Sequence, residues 1–213
     1  MKILLEISGG ADSMLSSILA IHKYKNAEFH GIIINYGQIP FENELDKVVK
    51  FCDKFNIELH VIDIKNLFKS GTVTGESYDE ISKGQLSDIY TPLRNLVIAA
   101  AAASLAETLG ATIIVTGSKT LNMEKNNPWS FSDSTLGFYI LFNSLLNYLT
   151  EGKIKFDTIL MNDRNTKMTK FEVFDKLIEL NVEISDFWNC FNSNEIRCNQ
   201  CNNCIELNNY LNK

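Results

Sequence analysis

Two groups of residues in this chain have the types and spacing to do chemistry. The first is Ser8-Gly9-Gly10-Ala11-Asp12-Ser13, placed between an apolar run, Lys2 to Ile7, and a helical pattern from Met14 onward. Consecutive glycines allow positive φ and let the backbone approach an anion closely. A helix N-terminus adds unpaired N–H groups and a partial positive charge, and Ser8 and Ser13 add hydroxyl donors. Asp12 suits such a turn once a divalent cation is present, because a hard carboxylate holds Mg²⁺ while the ion bridges phosphate oxygens. The turn therefore reads as a nucleotide-phosphate site. It has neither the Gly-x-x-x-x-Gly-Lys-Ser/Thr pattern nor the Gly-x-Gly-x-x-Gly spacing, and an ordinary Gly-rich connection is the plainer alternative.

The second group is Cys190, Cys198, Cys201 and Cys204, spaced C-x7-C-x2-C-x2-C. Thiolates two residues apart on a tight turn converge on one ion, and four of them close a tetrahedral structural Zn²⁺ site. A closed site has no free coordination position, so the metal would staple the C-terminal segment and take no part in a reaction. An Fe–S cluster, which also uses four thiolates, is the competing reading. Cys52 falls on a helical pattern and reads as a core residue.

Both groups need a scaffold, and the hydrophobic periodicity supplies one. Strands are expected over Lys2–Ile7, Phe29–Asn35, Ile57–Ile62, Ala111–Thr116 and Asp157–Met161. Helices are expected over Met14–Lys25, Glu42–Phe55, from Pro92 to Leu109, Leu136–Leu149 and Thr169–Asn181. The alternation predicts an α/β fold, a parallel sheet wound on both faces, whose strands deliver ligand-binding turns to their carboxyl ends. Pro92 suits a helix start, and Thr169 with Glu172 has capping-box spacing. Leu136–Leu149 is apolar nearly throughout and reads as core, with a second subunit as the other possible cover. Two polar stretches, Lys65–Tyr90 and Asn122–Asp133, interrupt the pattern. The first is long for a connection, so it is either a lid or substrate-facing excursion or a plain surface loop. Residues 1–183 are expected to form the nucleotide domain and 184–213 a zinc-stapled segment packed on it.

The totals narrow the class. At 213 residues one domain is expected. A net charge of −6 argues against broad nucleic-acid binding, which needs cationic surface. The chain opens on a strand pattern and not on a basic, apolar signal segment, and it has no run of membrane-spanning length, so a cytoplasmic protein is expected. In a reducing compartment the cysteine cluster reads as a metal site before it reads as disulfides.

The turn Ser8 to Ser13 is similar to the SGGxDS PP-loop of N-type ATP pyrophosphatases. Further along, the chain resembles one branch of them over nearly its whole length: the QueC family, the 7-cyano-7-deazaguanine synthases. Tyr36-Gly37-Gln38 matches that family's YGQ, Pro92-Leu93-Arg94-Asn95 its P-x-R-N, and Thr116-Gly117 its strand-end T-G. Lys170 and Glu172 resemble its late K-x-E element, and Cys190-Phe191-Asn192 with the three later cysteines its zinc ligands.

The resemblance implies an ATP-dependent ligase that adenylates the carboxylate of 7-carboxy-7-deazaguanine or a related deazapurine. Ammonia then gives the amide and, after a second activation, the nitrile. It implies ATP contacts from Ser8, Gly9, Gly10, Asp12, Ser13, Tyr36 and Gly117, and catalytic roles for Asp12, Arg94, Lys119 and Lys170. Substrate contacts would come from Gln38, Arg94, Asn95 and Asp133. Mg²⁺ would accompany ATP, structural Zn²⁺ would sit on Cys190, Cys198, Cys201 and Cys204, and a homodimer is expected. The chain departs from the family at its substrate end. Ile39-Pro40-Phe41 follows the YGQ in place of a histidine-bearing basic stretch. Phe131-Ser132-Asp133-Ser134-Thr135 stands for Y-P-D-C-R, and Ser118-Lys119-Thr120-Leu121 for a stretch that is normally acidic. These departures leave a second outcome open: a QueC-like paralogue, of the kind found in antiphage operons, that joins the activated carboxylate to a protein amine. A tRNA-modifying PP-loop enzyme and a noncatalytic nucleotide-binding module are the readings from other classes.

Overall fold

The computed structural model describes residues 1–68, 91–119, 131–161 and 168–213. Five strands form one sheet: β1 (Lys2–Glu6), β2 (Glu28–Asn35), β3 (Glu58–Asp63), β4 (Ala111–Val115) and β5 (Lys155–Asp157). Their order is β3-β2-β1-β4-β5, and every pairing is parallel. The helices are α1 (Ala11–Lys23), α2 (Phe41–Phe55), α3 (Arg94–Leu109), α4 (Leu136–Leu149), α5 (Lys170–Glu179) and α6 (Asn202–Leu211). The strand order reverses between β1 and β4, which opens a crevice at their carboxyl ends where such sheets take ligands.

Central β1 is apolar on both sides because both faces are covered. Ile3 and Leu5 join Met14, Leu15 and Ile18 of α1, Val48 of α2, and Val173, Phe174 and Leu177 of α5. Leu4 joins Ile32, Ile34 and Ile114, beneath Ala99, Ala102 and Ala106 of α3 and Tyr139, Phe142 and Leu146 of α4. The small alanine side chains let α3 lie close against the sheet. Cys52 is buried in the first of these cores, as its helical setting suggested.

Several elements differ from expectation. α1 starts at Ala11, so Asp12 and Ser13 lie inside its first turn, closed by Met14 N donating to Gly10 O at 3.0 Å. The strand expected over Asp157–Met161 instead occupies Lys155–Asp157. Asn143 of α4 brackets Phe156, donating to its carbonyl at 3.1 Å and accepting its N–H at 2.7 Å. Met161 N donates to Thr158 O at 2.8 Å and turns the chain away. α4 is not wholly core: Tyr139, Phe142 and Leu146 are buried, while Leu141 is 73% and Tyr148 84% exposed. One stripe of a helix suffices to fill the space above β4 and β5, so the opposite apolar stripe stays open. α6 lacks a strong helical signature in its asparagine-rich sequence, and it is anchored by buried Leu207 and by Tyr210 against Phe171 and Phe174. Most of the Lys65–Tyr90 and Asn122–Asp133 stretches lies outside the described residues.

The C-terminal segment packs on the α5 side. Phe187 stacks on Phe174 with centroids 5.9 Å apart and planes 13° from parallel. Arg197 donates to Ile184 O at 2.6 Å and to Phe187 O at 2.8 Å. Among the described residues no helix is long and apolar enough to cross a membrane.

Phe187→Ala should cost about 3–5 kcal/mol in urea unfolding, the usual penalty for emptying a buried aromatic site. Leu141→Ala, on the open stripe of α4, should stay within about 0.5 kcal/mol.

Candidate active site

The turn after β1 is held by its own side chains. Ser13 Oγ accepts from Ser8 N at 3.1 Å and donates to Gly10 O at 2.9 Å, and Ser8 Oγ donates to Ser13 Oγ at 3.1 Å. Gly9 has φ +77°, and a Cβ there would stand 2.7 Å from Glu44 O. Across the crevice, a Cβ on Gly117 would stand 2.8 Å from Ser13 N and Cα. Gly9 is therefore required by both its conformation and its backbone contact, and Gly117 by backbone contact alone.

Asp12 points away from the turn and meets two lysines, Lys170 Nζ at 2.6 Å and Lys119 Nζ at 3.1 Å. Burial by itself would raise its carboxyl, but the two ammonium groups outweigh burial and hold it below the ordinary carboxylate range. Burial, followed by the neighbouring Lys170 charge, lowers Lys119 despite the help of Asp12. Lys170 reaches the site because the capping box forms: Thr169 Oγ1 accepts from Glu172 N at 3.2 Å, and Glu172 Oε2 accepts from Thr169 N at 2.6 Å.

A cavity of about 360 Å³ opens beside the turn and is lined in part by Ser8, Asp12, Ser13, Tyr36, Gln38, Arg94, Asn95 and Gly117. The Arg94 guanidinium lies 5.3 Å from the Tyr36 ring centroid, a cation–π distance. Arg94 follows Leu93, a bulky residue in the left-handed region at φ +51°, and that kink aims the start of α3 at the cavity. Gln38 is buried and spanned by Ile34 O and Glu44 Oε2, each accepting at 3.1 Å. Asp133 is placed differently from the other candidates. It is buried behind Asn95, accepting its backbone N–H at 3.1 Å and its side-chain amide at 3.4 Å. It thus positions Asn95, and Asn95 faces the cavity.

Glu6, Glu44 and Tyr139, which the sequence reading did not single out, also border the cavity, as does Ser118 beside Gly117. Burial raises Glu44 to about 7, with the Gln38 hydrogen bond and the Arg94 charge pulling the other way. Burial also raises Glu6, whose hydrogen bond from Thr116 opposes the shift. Tyr139 Oη lies 2.9 Å from Ser118 Oγ and 3.2 Å from Thr116 Oγ1. Glu6 had a legible signal, as the lone carboxylate at the end of an apolar strand. Glu44 had none, because it blends into the polar face of α2.

A second cavity of about 210 Å³ lies on the other side of the turn, between Lys170, Trp188, Asn189 and Cys190. Its wall is the C-terminal segment, which Trp188 N ties to the turn by donating to Gly9 O at 2.8 Å. Behind it Cys190, Cys198, Cys201 and Cys204 bring their sulfurs within 4.8 Å of one another. The Cys198 and Cys204 sulfurs are 3.9 Å apart; a tetrahedral ion with 2.3 Å bonds to sulfur places them about 3.8 Å apart. Cys190 accepts from Asn192 N and Cys198 N, both at 3.3 Å, and Cys198 from Cys201 N at 3.3 Å. A hydrogen bond from Cys201 is the largest influence drawing the Cys190 thiol down to about 5. The donor set fits zinc.

A family model described as "Queuosine biosynthesis protein QueC" matches residues 2–213. A 7-cyano-7-deazaguanine synthase of Methanococcus maripaludis is 29% identical over 221 residues, spanning 96% of this chain and 91% of that protein. The synthase of Methanobrevibacter smithii is 28% identical over 217 residues, covering 96% and 90%. Among solved structures, a 4-thiouridine synthetase–RNA complex with bound ATP has a TM-score of 0.52 at 17% identity, covering 99% of this chain and 50% of that one. The U34-tRNA thiolase NcsA of Methanococcus maripaludis, with its [4Fe-4S] cluster, has a TM-score of 0.50 at 16% identity, covering 86% and 57%. At those identities the two structures speak for the fold.

Because Glu44 is raised from 4.5 to about 7, the folded protein holds a proton there that the unfolded chain releases from about pH 4.5 upward. The stability this group contributes is complete below pH 4.5 and is lost as pH rises to about 7 and beyond. Comparing the urea-unfolding free energy of the wild type with that of Glu44→Gln from pH 4.5 to 8 should show the wild type falling relative to the variant, by roughly 1–2 kcal/mol because the carboxyl still faces the cavity's water.

Proposed function

This chain belongs to the QueC family, and we propose that it activates the carboxylate of 7-carboxy-7-deazaguanine or a close deazapurine with ATP. A synthase of the 7-cyano-7-deazaguanine type is supported by relatives of that name spanning 96% of the chain. The observation that carries the adenylation step is Asp12 clasped by Lys119 and Lys170 at the switch point, beside the cavity.

A carboxylate oxygen is a poor leaving group. Attack of the substrate carboxylate on the α-phosphorus of ATP expels pyrophosphate and forms an acyl adenylate. Ammonia then displaces AMP, losing a proton, and leaves the amide. A second ATP activates the amide oxygen in the same way, and loss of AMP and protons yields the nitrile. The Ser8–Ser13 turn receives the pyrophosphate, and Lys119 and Lys170 supply positive charge where it departs. Asp12 keeps those lysines in place and is the hard oxygen donor that would hold Mg²⁺ accompanying ATP, an ion that would supply further positive charge to the leaving pyrophosphate. Arg94 takes the substrate carboxylate or the α-phosphate through its forked donors. Tyr36 and Gly117 border the nucleotide, and Asn95, set by Asp133, faces the base; Gln38, bonded to Tyr36 N, Ile34 O and Glu44, shapes that wall. Glu44, raised to about 7, suits a group that accepts a proton from the incoming amine near neutral pH.

Residues 184–213 act as a zinc-stapled segment on the domain formed by 1–183. Four converging sulfurs favour zinc over a cubane cluster, whose thiolates bind different irons and stand farther apart. A protein amine as acceptor is the second reading. It is favoured by the 131–135 loop, where the two residues that depart from the family pattern turn their hydroxyls onto the loop's own backbone: Ser134 Oγ donates to Phe131 O at 2.8 Å and Thr135 Oγ1 to Ser132 O at 2.8 Å.

AMP release from ATP and Mg²⁺ should require the deazaguanine carboxylate, and Asp12→Ala should lower it by at least about 100-fold. Product mass separates the acceptors: amide or nitrile with ammonia, or a matching gain on a protein partner. Absence of AMP under both conditions overturns the adenylation. Cys201→Ser should release the zinc and lower the melting temperature, by about 2–4 °C for each kcal/mol lost; unchanged melting argues against a structural metal.

A further inference from the structure

Far from the crevice, at the amino-terminal ends of β2 and β3, two histidines and two glutamates converge on one face of the sheet. His30 and Glu58 are register partners, and His60 pairs with Ile32 one step further along. In parallel strands, alternate residues share a face, so Glu28, His30, Glu58 and His60 all stand on the α3 side. His30 is 4% exposed. The other two histidine-site groups are more open, with the Glu58 side chain 69% exposed.

The bonding of His30 fixes which way its lone pair points. Its Nε2 lies 3.1 Å from Glu28 Oε1, an acceptor that requires the proton on that nitrogen. Glu28 is itself anchored by Lys2 Nζ at 3.1 Å. With Nε2–H given to Glu28, the Nδ1 lone pair faces His60 Nε2 at 3.2 Å and Glu58 Oε2 at 3.4 Å. His60 can satisfy that lone pair by donating a proton from its Nε2, but Glu58 Oε2 then stays beside it without one. With His60 Nε2 unprotonated, three electron-rich atoms face one another, and a cation satisfies all three.

We propose that His30 Nδ1, His60 Nε2 and a Glu58 carboxylate oxygen form a binding site for a zinc-class divalent ion at the β2–β3 edge of the sheet. The three donor atoms lie within 4.8 Å of one another, and the two separations from His30 match such an ion. Donors about 2.0–2.1 Å from a tetrahedral zinc stand about 3.3–3.4 Å apart, against 3.2 and 3.4 Å here. Two imidazoles and a carboxylate are ligands for borderline ions such as Zn²⁺, Co²⁺ and Ni²⁺. Glu28 plays the part of the carboxylate that orients a ligating histidine and raises its basicity. Three protein ligands leave one position for water, in contrast to the closed four-sulfur centre. β3 ends the sheet, so the ion would clip an edge strand to its neighbour.

The test uses the full chain with its cysteine centre loaded and loosely held metal removed. Titration with ZnCl₂ followed by calorimetry should find one further equivalent per chain. His60→Ala should abolish that saturable step, Glu28→Gln should weaken it by about 10-fold or more, and His22→Ala, in α1, should leave it unchanged. Co²⁺ added in place of zinc should give weak visible bands without thiolate charge transfer, which separates this site from the cysteines. A wild type that binds no further equivalent overturns the site, as does one whose extra equivalent survives His60→Ala. His60 is half-buried and Glu28 exposed, and the melting temperature of each variant without added metal checks that it folds.

Discussion

The molecule depends on a backbone-to-backbone approach at the sheet's switch point. Gly9 lies against Glu44 of α2, and Gly117 lies against Ser13 of α1, each closer than any Cβ permits. Those contacts bring the turns after β1 and β4 and the start of α2 to one place. A parallel sheet creates the crevice wherever its strand order reverses, but it does not by itself bring side chains from both lips within hydrogen-bonding range. Two missing Cβ atoms do that.

Asp12 converts the approach into a charged centre. Its partners come from distant parts of the chain: Lys119 follows β4, and Lys170 opens α5. A carboxylate so placed would be costly without its cations, and the lysines would repel one another without the carboxylate. The group is thus stable as a unit and still offers excess positive charge to an anion. The same logic explains Glu44, raised by burial to about 7, which sits among neutral donors with Arg94 as its cationic neighbour. Two carboxylates around one turn are driven in opposite directions, one kept ionised and one poised near neutrality.

The C-terminal segment adds a second constraint. Trp188 N holds Gly9 O, and Phe187 stacks beneath it on Phe174. The four-sulfur cluster lies immediately beyond, so whatever orders that cluster also fixes one wall of the Ser8–Ser13 turn.

Much of this was legible in the chain itself. Short, continuous apolar runs divided by helical ones dictate a parallel sheet wound on both faces, because only a sheet covered on both sides buries them. Ser8 to Ser13 marks the turn at the switch point, because two consecutive glycines ahead of a helix start let the chain turn tightly there. The cysteine spacing marks a cluster of converging sulfurs, because thiols two residues apart on a tight turn meet. These are local patterns, and local patterns survive in one dimension. The tertiary structure decided what depends on distance between remote residues. It set Lys119 and Lys170 on the same carboxylate and Asp133 behind Asn95. It brought Glu6 and Glu44 into the cavity and left one stripe of α4 open. It also placed His30, Glu58 and His60 around a common point, which no spacing along the chain announces, since strand register and the face each residue takes are set by how the whole sheet packs.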